Sequence, residues 1–130
     1  MGITVVWDNP EHTILRYIYD GPWGMDNFYP ALQESHTMMD TVDYRVGIII
    51  DVQKSKLVPN GVLSHGTKVT TSKHPNQGKS IVVGASGLVR SLFDVYKKVY
   101  RSSFDEKAFD FVKTLDEARA ILLKAPIVTP

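Results

Sequence analysis

Short β-branched runs that alternate with segments able to form helices constrain this chain more than any other property. Arg45-Val-Gly-Ile-Ile-Ile-Asp51 and Lys79-Ser-Ile-Val-Val-Gly-Ala85 are such runs, and Ala108-Phe-Asp-Phe-Val-Lys-Thr114 leads into a closing helix. A strand followed by a helix cannot return as a tight hairpin. The connection crosses over, so the sheet is expected to be largely parallel or mixed, with helices packed on it. The chain opens differently. Ile3-Thr-Val-Val-Trp7 and Thr13-Ile-Leu-Arg-Tyr-Ile-Tyr19 read as two strands joined by the turn-forming Asp8-Asn-Pro-Glu-His12, which predicts an antiparallel hairpin.

Four helices are expected among these strands. The first starts between Asp26 and Pro30, because proline is tolerated in a first helical turn. Phe28, Leu32, His36 and Met39 then share a face at helical spacing, with Tyr29 and Val42 beside it. A polar connection from Val52 to Pro59 precedes Asn60, a candidate N-cap for a thinly amphipathic helix through Val62, Leu63, Thr67 and Val69. Pro75-Asn-Gln-Gly78 is a turn. After the next strand Ser86 is a second candidate N-cap. The helix that follows sets Leu88, Val89, Leu92, Phe93, Tyr96, Val99 and Tyr100 against Arg90, Asp94, Lys97, Lys98 and Arg101. Thr114-Leu-Asp-Glu117 is a capping-box signature and opens a helix that buries Ala118, Ile121 and Leu122. The expected organisation is one α/β domain over residues 1–124, of order ββαβαβαβα, with an apolar tail over 125–130.

Charge is ordinary in total and uneven in place. The net charge is +1, yet residues 1–51 carry 8 acidic and 2 basic side chains while residues 52–101 carry 9 basic and 1 acidic. If the basic block gathers on one face, that face attracts acidic proteins, phosphates or anionic lipid; the alternative is the solvated side of two helices. Lysines separated by serine, threonine and valine form no nucleic-acid motif, and a pI near 8.0 is low for such binders. Nucleic acid is therefore not an expected partner. No run of about 18 apolar residues is present, so no transmembrane segment is expected. The start lacks a basic region followed by an apolar one, so a cytoplasmic location is expected. There are no cysteines, which excludes disulfides and thiolate chemistry.

The order of elements resembles the STAS fold of the bacterial anti-sigma-factor antagonists. It is especially similar to the small free-standing STAS-like proteins related to the CRAL-TRIO lipid carriers, over about residues 3–124. The resemblance rests on the opening hairpin with Asp20-Gly-Pro-Trp-Gly24 and on Ile48-Ile-Ile-Asp51 at the end of the central strand. Ser80-Ile-Val-Val-Gly84 with Leu88-Val-Arg90, and Phe109 to Lys113 with Thr114-Leu-Asp-Glu-Ala-Arg-Ala-Ile-Leu122, complete it. It implies a non-enzymatic module that binds another protein or a small ligand. In the antagonists an Asp-Ser-Ser-Gly-type motif after the central strand carries a serine whose phosphorylation switches binding. The matching stretch here is Val58-Pro59-Asn60-Gly61-Val62. Only its glycine survives, and Pro59 has no hydroxyl to modify, so switching at that position is excluded.

Catalytic chemistry finds no footing. Gly84-Ala-Ser-Gly-Leu88 sits where a hydrolase nucleophile elbow would, but Leu88 breaks the Gly-x-Ser-x-Gly pattern. His12, His36, His65 and His74 have no metal-ligand spacing, so neither a metal nor any other cofactor is expected. Two sets of candidates remain. Lys54, Lys56, Asn60, Gly61, Lys68, Arg90, Lys97 and Lys98 are the expected partner-binding surface, facing an acidic protein or the acidic part of a second copy. Trp23, Asp51, Ser86 and Gly87 are candidates for holding a small ligand: Trp23 as a loop anchor or a cover for the core, Asp51 as a ligand orienter or a bond to loop amides, and Ser86 with Gly87 as a helix N-terminus open to phosphate or carboxylate. The ligand reading expects an apolar pocket lined by residues such as Trp23, Phe28, Leu63 and Phe93.

Overall fold

A computed structural model describes residues 2–21, 23–55, 74–87 and 109–124, together with positions 90, 91, 94 and 98. The strands are β1 (Gly2–Trp7), β2 (Ile14–Asp20), β3 (Val46–Lys54), β4 (Gln77–Val83) and β5 (Phe109–Val112). Two complete helices accompany them, α1 (Met25–Met39) and α2 (Leu115–Lys124). Positions 87, 90, 91, 94 and 98 are also helical. The expected helix at 60–69 and the tail at 125–130 lie outside the described residues.

The strands lie side by side in chain order, β1 to β5. β1 pairs antiparallel with β2, and every later pair is parallel. The sheet is thus mixed, as the alternation of strands and helices requires. Asn9 closes the hairpin: its Oδ1 accepts from the N–H groups of Thr13 and Ile14 at 3.0 and 3.2 Å, and its Nδ2 donates to Thr13 Oγ1 at 2.6 Å. His12 takes the left-handed conformation, with φ of 58°, and its ring stacks on Trp7 with centroids 4.5 Å apart.

Alternation along the strands divides the core in two. Val5, Leu15, Tyr17, Tyr19, Val46, Ile48, Val52 and Val82 point to one face, where Ala31 and Met39 of α1 meet them. Ile14, Ile49, Ile81 and Val83 point to the other, under Ala118 and Leu122 of α2. β3 supplies both faces, which is why its central run reads as continuously apolar.

Helix α1 begins at Met25, one residue before the expected window, and Pro30 falls in its second turn. The turn tolerates it because residue 30 is exposed, so the Asp26 carbonyl that loses a partner faces the solvent side. The start is held instead by Asn27, whose Oδ1 accepts the Gly24 N–H at 2.9 Å. The buried stripe is Ala31, Ser35 and Met39, while Phe28, Leu32 and His36 lie half-buried at its edge. Tyr17 reaches up from the sheet and hydrogen-bonds Ser35, which satisfies both hydroxyls where water is excluded. The far end of α1 is closed by Asn76, whose Nδ2 donates to the carbonyls of Met39 and Val42 at 3.1 and 3.0 Å.

β3 continues three residues past the expected end at Asp51. β4 occupies residues 77–83 rather than 80–85, and takes Gln77 and Gly78 from the expected turn. Helix α2 forms where its capping box placed it, with Thr114 Oγ1 accepting from the Glu117 N–H at 3.2 Å. It sits close to the sheet because Gly47 carries no side chain. A Cβ there would stand 2.9 Å from Leu122 Cδ2.

This packing separates two adjacent leucines. Leu122 is buried, whereas Leu123 is 65% exposed. Leu122→Ala is expected to lower unfolding stability by about 2–4 kcal/mol through loss of buried apolar contacts and the cavity left behind. Leu123→Ala should change it by no more than about 0.5 kcal/mol. Urea denaturation of the two variants checks the orientation of α2.

Candidate functional site

Charged side chains converge on the α2 face of the sheet, where β1 and β2 pass beyond the cover of that helix. Arg16 on β2 donates from Nε and Nη2 to Asp51 Oδ2, at 3.1 and 2.6 Å. The other oxygen of Asp51 accepts the main-chain N–H and the Nε2 of Gln53, at 3.1 and 3.0 Å. Arg119 on α2 grips Asp8 through both carboxylate oxygens, at 2.8 and 2.9 Å. Arg16 Nη1 lies 4.0 Å from Asp8 and links the two pairs, and Asp116 adds a contact to Arg119 at 3.5 Å. The carboxylates of Asp8 and Asp51 are only 3% and 5% exposed, whereas both guanidinium side chains reach solvent.

Two-residue alternation builds this row. Asp51 and Gln53 share a face of β3, and Arg16, opposite Ile49 in the β2–β3 pair, reaches Asp51 diagonally on that face. Gly84 makes room for Gln53: it has φ of +73°, and a Cβ at this position would stand 2.5 Å from Gln53 Cγ. Burial works to raise the pKa of Asp51, but the hydrogen bonds from Arg16 and Gln53 outweigh it and hold the carboxyl below its usual 3.8. A carboxylate stabilised in this way is ionised at neutral pH and poorly matched to proton transfer. Its acceptor positions are taken by the protein. Asp51 therefore acts as the anchor of an ion-pair network, closer to the expected bonding with amides than to holding a ligand.

The other ligand candidates lie elsewhere. The ends of β2, β3 and β4 share one edge of the parallel sheet, the edge where open α/β sheets commonly bind ligands. Trp23 follows β2 there. Its Nε1 donates to Ser55 Oγ at 3.0 Å, Ser55 Oγ lies 3.3 Å from the Gly21 carbonyl, and the ring meets Tyr19 edge-on at 4.9 Å. Trp23 also packs on the α1-face core, so it covers the end of that core. Ser86 and Gly87 follow β4, and Ser86 accepts the Arg90 N–H through its carbonyl at 3.0 Å, as the first turn of a helix does. Trp23 and the Ser86–Gly87 turn thus both follow strands that end on this edge. Asp51 projects from the α2 face and does not join them. Of the residues expected to line a pocket, Trp23 and Phe28 are half-buried, and Leu63 and Phe93 lie outside the described residues.

Among the partner-surface candidates, Lys54, Arg90 and Lys98 are exposed. Lys54 ends β3, with its carbonyl accepting the Gly21 N–H at 3.2 Å. Arg90 also lies over the Phe111 ring, 5.0 Å from its centre. Arg90, Asp94 and Lys98 recur at four-residue intervals and are all exposed, as the polar side of that helix requires. Lys56, Asn60, Gly61, Lys68 and Lys97 lie outside the described residues. Among the described residues no group of His, Asp and Glu is placed to hold a metal ion, and no helix is long and apolar enough to cross a membrane.

Sequence reasoning singled out neither Arg16, Asp8, Arg119, Gln53 nor Ser55. One signal was present: Arg16 and Asp51 each interrupt an apolar strand, and two opposite charges in buried strands imply each other. Neither a scan against protein-family models nor a search of curated proteins finds a match to this chain.

The Asp51 network sets an acid limit. Its folded pKa lies below the unfolded value, so its contribution to stability is complete above about pH 5 and is lost as pH falls through the folded pKa. Asp51→Asn should cost about 2–3 kcal/mol at neutral pH, because Arg16 loses its anionic partner. The variant should also show a shallower loss of stability between about pH 5 and pH 2 than the parent. Chemical denaturation across that range measures both effects.

Proposed function

We propose that this chain is a non-enzymatic, cytoplasmic STAS-like module that works by binding protein, in regulation or assembly, without the phosphorylatable serine of the anti-sigma-factor antagonists. The observation that carries the reading is where the unbalanced charge goes. Of the acidic residues in the first 51, Asp8 and Asp51 are consumed by Arg16 and Arg119. Glu11, Asp20, Asp26, Glu34, Asp40 and Asp43 are all exposed. On the basic side Lys54, Arg90 and Lys98 are exposed as well. Among the described residues much of the charge separation therefore stands on the surface, and surfaces of opposite sign steer protein association. The partner is an acidic protein that meets the basic part, or a second copy whose acidic N-terminal part does so.

A carrier or sensor of a small apolar or anionic ligand is the second reading. Trp23 favours it, since the ring is fixed by Ser55 and Tyr19 at the strand-end edge where such ligands bind.

Light scattering over a salt series tests the first reading. Association driven by these surfaces should be measurable at low ionic strength and fall steeply as salt rises from about 0.05 to 0.5 M. A chain that remains monomeric at low salt and high concentration, and also ignores added acidic protein, overturns it. A small molecule retained in native mass spectrometry and released on mild denaturation supports the second reading instead.

A further inference from the structure

The two edges of the sheet are unlike. β5 is a short edge of four residues that carries Asp110, which is paired with Lys79 at 2.7 Å. Short strands and charge are the usual means by which proteins keep an edge from pairing with another chain. β1 has neither. Its six residues, Gly-Ile-Thr-Val-Val-Trp, include no charge and no proline, and its pairing with β2 runs without a bulge from Gly2 to Trp7.

The register shows which main-chain groups β1 leaves outward. The Asp8 N–H donates to the Ile14 carbonyl at 2.8 Å, in line with the register of the strand. In an antiparallel pair the residues that exchange hydrogen bonds alternate. Gly2, Thr4 and Val6 therefore turn their N–H and C=O groups towards β2. Ile3, Val5 and Trp7 turn theirs to the outer edge, where no other described strand pairs. The side chains of these same residues belong to the α1-face core, while Thr4 is exposed and Val6 half-buried on the opposite face.

We propose that β1 pairs antiparallel with β1 of a second copy of this chain, about a two-fold axis that passes through Val5 normal to the sheet. The occupant follows from the symmetry of the edge. With Val5 opposite Val5, Ile3 falls opposite Trp7 at both ends, and every outward group exchanges main-chain bonds with an outward group. A one-residue slip would set outward groups of one copy opposite groups of the other that are already bonded to β2, and the ladder would lose its hydrogen bonds. The axis through Val5 keeps both α1 faces on one side, so Ile3 of each copy meets Trp7 of its mate. The ladder contains no charge that would select a partner of different sequence. The exposed acids of α1, Asp26 and Glu34, come to the same side of the joined sheet in both copies. The pairing consequently tightens as salt screens them, opposite to the association of acidic and basic surfaces proposed above, and neither depends on the other.

Amide hydrogen exchange of the full chain, measured by NMR across a concentration series in high salt, tests the pairing. Protection at Ile3, Val5 and Trp7 should rise with concentration, while Thr4 and Val6, bonded to β2, stay protected throughout. Thr4→Lys puts an ammonium on an exposed edge position, opposite Val6 of the mate, and should weaken the dimer about tenfold with the fold intact. Thr4→Val should tighten it. Ile3→Pro removes an outward N–H that β2 does not use and should also weaken the dimer. A chain that sediments as a monomer at every salt and concentration overturns the proposal. So does a dimer whose Ile3, Val5 and Trp7 amides exchange freely, and so does protection of these amides that ignores concentration, which would mean that another segment or a bound peptide covers the edge.

Discussion

A carboxylate buried in the middle of a sheet has to be neutralised where it stands, and Asp51 sets terms for much of this structure. It lies on β3, between β2 and β4, in a position its neighbours fill with isoleucine and valine. Left alone there it would cost several kcal/mol. Arg16 must therefore come from β2 on the same face, and Gln53 must turn back to the second oxygen. Gln53 fits only because residue 84 is glycine. The α2 face is thereby split into an apolar part under α2 and a charged row that runs from Asp51 on β3 through Arg16 on β2 to Asp8 after β1.

That split agrees with the size of α2. Ten residues of helix span about 15 Å, whereas five strands spread over about 19 Å, so this helix does not reach across the whole sheet. Arg119 and Asp8 close the gap with a two-pronged bond from the helix to the end of β1. It ties an element near the end of the chain to the opening hairpin. Among the described residues the exposed acids of the first half show no such bond to an arginine, and Asp40 pairs with His74. Among the described residues Asp8 and Asp51 are the carboxylates that arginines hold in the interior, and the other acids of the first half are exposed.

The strands were legible because their signals are local. Alternation in Thr13–Tyr19 and the continuous run at Ile48–Ile50 give the period and the number of buried faces directly, and Thr114 with Glu117 marks the start of α2. Where the reading stopped short, a distant partner had overridden a local cue. β3 appeared to end at Asp51 because a charge usually closes an apolar run. It continues because Arg16, 35 residues away, neutralises that charge, and Asp20 still pairs with Lys54 beyond it. Pro30 appeared to mark a first turn, but Asn27 caps the helix earlier and solvent tolerates the missing bond. The bond between Asp8 and Arg119 spans 111 residues, and no periodicity in one sequence encodes a pairing of that range.

The same pleat that buries β1 also determines how its edge can be used. Side-chain direction and main-chain direction both alternate with a period of two, so they are locked together. The residues that pack beneath α1, Ile3, Val5 and Trp7, are necessarily those whose N–H and C=O groups face outward. A polar side chain placed at any of them to discourage pairing would be paid for in the core. Only Thr4 and Val6 are free to carry an edge-blocking charge, and neither does. Core packing fixes the register in which this edge can meet another strand, and the choice at Thr4 leaves it open.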